Sequence, residues 1–419
     1  MATVSPVVRS VISPVVGDIF SSEGPTPIFH MPLSNSLLVS KGIGPATLTR
    51  ATIGTYIDKE DGLLKEAAIN TARFEAGGVL IEGASSNLQT FSESLDDASW
   101  TKTSLSVTAN NAVAIDGTTT ADLAIPAAVS AQHFYEKLVS VTSGDDYTQT
   151  VFADSGGYDF IQLTGSTGFA AEWVNFNLSN GSVGNSSLST GLASIVDLGG
   201  GIYRCRLSLP ATSTTTGGIA ISVLNADTAS RLPSFTGDGS SGVNVWGNQF
   251  EPLEFASSYM KTEGATASRS AERLAVDSDN IPAPALNYSV SCYFDLIGNV
   301  TGDEQCVYSV SNESLRFIRS GQGLIFLRSR HGASQVDTPG AVTINTTIKV
   351  TQTCDTSNAV SGQNLYMNGV ATTGAITSVT GTKSDIRIGV RSSAEHLYGH
   401  IKSFKIFDKE LTSREEDTL

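Results

Sequence analysis

The chain has 419 residues, with 26 lysines and arginines against 41 aspartates and glutamates, giving a formal charge of -15. That length exceeds what one hydrophobic core serves, so two domains of ordinary size are expected, and acidity without a dense acidic run disfavours a chain that tracks nucleic-acid phosphates or anionic membranes. Charged residues make up only 16% of the chain while glycine occurs 40 times, a balance that suits short strands and many turns.

No apolar run approaches the roughly 20 residues that span a bilayer, and Met1 is followed by no basic n-region and long h-region. Folding in a reducing bacterial cytoplasm, with release by other means, is the expectation. Cys205, Cys292, Cys306 and Cys354 are scattered without CxxC spacing, which reads as small buried thiols and no metal site.

Residues 5–20 repeat a pattern: Ser5-Pro6 and Ser13-Pro14 each precede two apolar residues, two spacers and two more apolar residues. The apolar positions are Val7, Val8, Val11, Ile12, Val15, Val16, Ile19 and Phe20. Pro14 and Gly17 oppose one helix through both units. Such a surface is too short to fold alone, so either a partner or a trimer axis covers it, or it packs back on its own chain.

Residues 45–90 read as two or three lead-in strands. They carry Arg50-Ala51-Thr52, Tyr56-Ile57-Asp58, an Asp61-Gly62 hairpin signal, Asn70-Thr71-Ala72-Arg73-Phe74 and Val79-Leu80-Ile81-Glu82 ahead of Asn87-Leu88. Residues 91–276 then alternate with period two. Val174, Phe176 and Leu178 oppose Trp173, Asn175 and Asn177, and Tyr203, Cys205, Leu207 and Leu209 oppose Ile202, Arg204, Arg206 and Ser208. This predicts antiparallel sheets with one wet face. Turns at Asp116-Gly117, Gly156-Gly157, Asn180-Gly181 and Gly199-Gly200-Gly201 fall at sandwich spacing. The run closes on Gly237-Asp238-Gly239, Val245 to Glu251, Ser258-Tyr259-Met260-Lys261-Thr262 and Arg269-Ser270-Ala271-Glu272.

Ile281-Pro282-Ala283-Pro284 marks a linker at 277–285. In 286–419, Tyr288, Val290, Cys292, Phe294 and Leu296 share one parity, as do Ile386, Ile388 and Val390, and Asn368-Gly369 is a hairpin turn. The close, Gly399 to Thr412, reads as a last strand before a short helix, with Ser413 and Glu416 fitting a capping box.

Chemistry is sparse. His30, His133, His331, His396 and His400 occupy no nucleophile-elbow or HExxH setting, and surface or edge positions are expected. Asp58, Glu60, Asp61, Glu82, Asp96, Asp97, Asp145 and Asp146 could serve glycoside hydrolysis only where folding sets two of them at the right separation; most sit in turn-like text. No catalytic residue is assigned. Trp246 with Asn248 and Gln249, and Trp173, are the ligand-binding candidates, because an aromatic plane beside amides suits a sugar. A strand tryptophan is more often core.

The motifs between Arg50 and Glu272 resemble a β-sandwich module of bacteriophage tail-fibre and virion-surface proteins, with Ala98-Ser99-Trp100-Thr101-Lys102 and Gly201-Ile202-Tyr203-Arg204-Cys205 continuing the likeness. The last domain resembles a laminin-G or concanavalin-A-like sandwich. The expected fold is all-β: two antiparallel, jelly-roll-like β-sandwich domains in tandem (91–276 and 286–419) behind a short anchoring segment (1–44) and the connector (45–90). The resemblance implies a structural, non-enzymatic virion protein, a fibre or appendage attached through its N-terminus to capsid, tail or baseplate. It further implies a homotrimer that binds a host-surface glycan or receptor. The alternatives are a decoration protein that stabilises the particle and a polysaccharide-degrading tailspike. No cofactor is expected beyond calcium, which laminin-G-like domains can bind.

Overall fold

The computed structural model describes residues 24–280, 287–298, 304–310, 313–319, 325–331, 334–338, 341–355, 357, 362–375, 385–391 and 395–419. The Ser-Pro repeat, with Val7, Val8, Val11, Ile12, Val15, Val16, Ile19 and Phe20, lies outside them, as does the proline linker.

The described residues form two antiparallel β-sandwiches, as the alternation predicts. In the first, a six-stranded sheet runs in the order Leu192–Asp197, Tyr203–Pro210, Asp146–Gly156, Gly242–Glu251, Thr119–Pro126, Leu105–Val113. It faces a second six-stranded sheet that runs from Ser182–Ser187 to Thr101–Thr103. Tyr203, Cys205, Leu207 and Leu209 point between the sheets with Val174, Phe176 and Phe250. The wet face expected for Trp173–Asn177 is absent, since all five residues are buried. A loop crosses that face, and Asn175 Nδ2 donates to the carbonyls of Asp227 and Ala229. Polar outward residues here hold a loop rather than water.

The second sandwich is not confined to the C-terminal part of the chain. Its larger sheet contains Asn287–Phe294, Ile348–Asp355 and Gly399–Phe407, and the free edge of Gly399–Phe407 is shared by Gly78–Ile81 and Phe29–Met31. Its other sheet begins with Thr47–Thr49, paired to Arg273–Val276, which pairs in turn to Ile386–Ile388. Phe29, Met31, Leu33, Leu48, Val79 and Ile81 share one core with Val290, Phe294, Leu365, Ile401 and Phe404. The connector strands, expected to lead into the first sandwich, therefore complete the second. Part of the expected anchor, from Phe29 onward, packs back on its own chain. The first sandwich sits between two crossings, Ser85–Asn87 and Ala267–Arg269, which pair with each other.

Local signals fared well. Asn368 and Gly369 take φ of 49 and 83 between paired Met367 and Val370, the left-handed pair that a two-residue hairpin needs. The final helix caps one residue earlier than the spacing suggests. Thr412, in extended conformation, receives the Glu415 amide, and the Glu415 side chain returns to the Thr412 amide. His133 and His400 are less exposed than expected. His133 is fully buried between the carbonyls of Ser104 and Phe235.

His400 is held by two carboxylates, Asp295 at Nδ1 (2.8 Å) and Glu75 at Nε2 (2.9 Å). Burial alone would depress its pKa, but hydrogen bonds and charge from Asp295 and Glu75 raise it to about 10. Unfolded histidine titrates near about 6.5, so the clamp contributes fully below that pH and fades as pH rises towards 10. The melting temperature should accordingly fall between pH 6 and pH 10. In H400Q that part of the slope should flatten, which thermal melts at matched ionic strength would read directly.

Candidate functional site

The quoted motifs converge, but on a buried charge network. Glu272 Oε1 accepts from Arg50 Nη1 (2.5 Å) and Arg73 Nε (3.0 Å), and its Oε2 accepts from Arg73 Nη2 and the Glu82 amide. Glu82 Oε2 accepts from Arg73 Nη1 (2.8 Å) and Ser258 Oγ (2.7 Å) and is 3.3 Å from Arg269 Nη1. Burial pushes the Glu82 carboxyl up, yet Arg269 and Arg73 outweigh it and hold the group at about 2. Other guanidinium donors reach carbonyls, including those of Thr52, Ala68 and Thr71 from Arg50 and of Gly83 from Arg269, while the Arg269 Nε is buried without a partner. Buried ions persist only when paired in this way. The cluster joins the connector strands to the crossings, and so one sandwich to the other.

The expected sugar platform is not formed. The Gly242–Glu251 strand has a register shift where it passes Thr150 and Phe152, with Gly247 at φ 61. Such a bulge breaks the alternation, so that residues two apart fall on opposite faces. Trp246 points outward but is covered by Tyr259, ring centroids 4.9 Å apart, and donates Nε1–H to Thr120 Oγ1. Asn248 turns inward and accepts from the Tyr135 hydroxyl at 3.0 Å. Gln249 is buried, bonded to Glu251 and to the Met260 amide. Trp173 is also buried. Residues 252–262 double back over the sheet and convert the expected platform into core.

Of the carboxylates weighed for hydrolysis, Glu82, Asp58, Asp61 and Asp97 are committed as well. Asp58 and Asp61 both grip Lys65, and Asp97 caps Ser99. Among the described residues, no three His, Cys, Asp or Glu gather as a metal site.

What the fold does assemble is a cleft of about 260 Å³ where the first sandwich meets the connector strands and the second sandwich. Tyr56, Ile57 and Leu64 come from the hairpin Gly54–Ile57 and Leu64–Ala67, and Glu75, Leu80 and Glu82 from the strands after it. Ile297 and Asn345 come from the second sandwich, and Phe152, Ser194, Val196, Arg204 and Arg206 from the outer face of the first. Arg204 Nη2 donates to the Ser257 carbonyl at 2.6 Å and its guanidinium lies over Phe152. Alternation had placed both arginines on the outer parity of their strand. The signal missed was that paired cations at i and i+2 are unusual on a chain this acidic.

Residues 270–415 match a laminin-G-type family described as the Concanavalin A-like lectin/glucanases superfamily. No curated protein matches the chain. Among solved structures, 32% of the chain aligns with 68% of a native heptameric SAP-like pentraxin from Limulus polyphemus, at 12% identity and a TM-score of 0.27. A "putative carbohydrate binding protein" from Bacteroides ovatus aligns over 77% of its length with 68% of this chain, at 10% identity and a TM-score of 0.26.

Proposed function

We propose that this chain is a non-catalytic glycan-binding protein displayed on the surface of a tailed-bacteriophage particle, as a fibre or appendage subunit made in the host cytoplasm. The observation that carries the glycan half is the match of residues 270–415 to a lectin-type family, whose sandwich contributes a wall to the cleft. Binding rather than hydrolysis is favoured by the two carboxylates in that cleft. Glu75 is tied to His400 and the Ile57 amide, and Glu82 to Arg73 and Arg269. A glycosidase needs one carboxylic acid kept protonated, and Glu82 is held in the opposite direction.

The virion half is supported by the motif resemblance alone. Attachment through the residues before Gly24, and homotrimer formation, belong to the same reading. Because Phe29–Met31 is built into the second sandwich, attachment there would set that sandwich nearest the particle and the first sandwich farther out. Glycan-array binding of the full-length chain is the test. Retention of one glycan class is expected; no retention by a chain shown to be folded would overturn the glycan reading.

A further inference from the structure

Arg206 is the least committed charge of the cleft. Glu75 and Glu82 are spent on His400, Arg73 and Arg269, and Arg204 gives Nη2 to the Ser257 carbonyl, although its Nε also lacks a partner. The Arg206 Nε is buried without a hydrogen-bond partner, and no carboxylate forms an ion pair with the guanidinium among the described residues. A guanidinium carries five donors in a planar fork matched to a carboxylate, and leaving its Nε buried and unpaired is costly. The strand around it fixes its aim. Arg206 lies between Ser194 and Thr150 across the sheet, on the face opposite the core residues Cys205 and Leu207. Arg204, two residues away, adds like charge on the same face. Burial first, and then Arg204, push the Arg206 pKa down, which Glu251 and Glu254 only partly offset.

We infer that the cleft receives an acidic sugar, with its carboxylate seated on the Arg206 guanidinium. The walls fit the rest of such a ligand. Leu80, Val196 and Ile297 offer apolar surface to the C–H faces of a ring, with the Tyr56 and Phe152 rings beside them. The volume lies just below the roughly 300–1,000 Å³ of pockets for drug-sized molecules, a size for one or two sugar rings. Uronic acids and sialic acids share this carboxylate chemistry. The inference rests on the glycan-binding reading and narrows it to one class at one site.

The test is calorimetric titration of the full-length chain with a glucuronate-containing oligosaccharide, a sialoside, the carboxamide analogue of each, a neutral oligosaccharide and inorganic sulfate. At least one of the two acidic saccharides should bind, and whichever binds identifies the source. Its carboxamide should bind weaker by about tenfold or more, the scale of a lost charged hydrogen bond. R206Q should abolish that discrimination and R206K retain part of it. Unliganded R206Q should melt no lower than the parent, since the half-buried guanidinium forms no ion pair among the described residues. Equal affinity for acid and amide, unchanged discrimination in R206Q, or a melting point several degrees lower in R206Q would each overturn the inference. So would sulfate competing as well as the saccharide. Binding of the neutral oligosaccharide alone would overturn it while leaving the glycan reading standing; no binding of any saccharide would remove both.

Discussion

Replacing Glu272 with alanine is expected to destabilise the protein by about 3–5 kcal/mol, the cost of removing one partner from a buried ion network. The carboxylate receives Arg50, Arg73 and the Glu82 amide, so its loss leaves the buried Arg50 with no carboxylate and the buried Arg73 with Glu82 alone. Arg50, Arg73 and Arg269 are the three bulkiest fully buried side chains among the described residues. In a chain of this size unfolding as one unit, the change corresponds to a fall in melting temperature of roughly 3–6 °C. Glu263→Ala, at an exposed position nearby, should change stability by less than about 0.5 kcal/mol. Thermal melts of both variants decide the matter, and a Glu272→Ala shift no larger than the control would show the network to be energetically idle.

Residues 270–419 expressed alone should fail to fold, although they contain the whole of the lectin-type match. They lack Phe29, Met31, Leu33, Leu48, Val79 and Ile81 from their core. At about 1.5–3 kcal/mol for each fully buried large apolar side chain, the deficit is on the order of 10 kcal/mol, comparable with the whole stability of a typical domain. The edges of Gly399–Phe407 and Arg273–Val276 would also be bare, which invites aggregation. Residues 83–269 should behave differently, because the main core of the first sandwich draws only on residues between Leu95 and Phe250. Near-ultraviolet circular dichroism and sedimentation of the two fragments test this. A cooperative transition in 270–419 alone, at the temperature of the full chain, would refute it. Adding residues 24–82 in trans should restore order if the deficit is the missing strands.

The contrast between these fragments marks where sequence reasoning succeeded. Period-two alternation at Tyr203 to Leu209 and at Tyr288 to Leu296 identified core faces correctly, because each residue's side is set by its own strand. Turns at Asp61-Gly62, Asn180-Gly181 and Asn368-Gly369 were legible because positive φ selects residue types locally. The binding platform was misread at Trp246, Asn248 and Gln249. Gly247 was read there as an ordinary strand residue, although its positive φ is what breaks the alternation, and nothing local announces that residues 252–262 return over the face.

The sequence by itself therefore determined the class of this protein, all-β with antiparallel sandwiches, and also several of its turns and the motif residues that matter. Only the tertiary structure decided what those residues do. Arg50, Arg73, Glu82, Arg269 and Glu272 are up to 222 positions apart, and their convergence follows from strands at both ends of the described chain sharing one sheet. The same closure forms the cleft and leaves Arg206 facing it with its Nε unpartnered among the described residues. Local propensity and periodicity act over a few residues, whereas strand partnership across hundreds is settled by which apolar faces can be buried together.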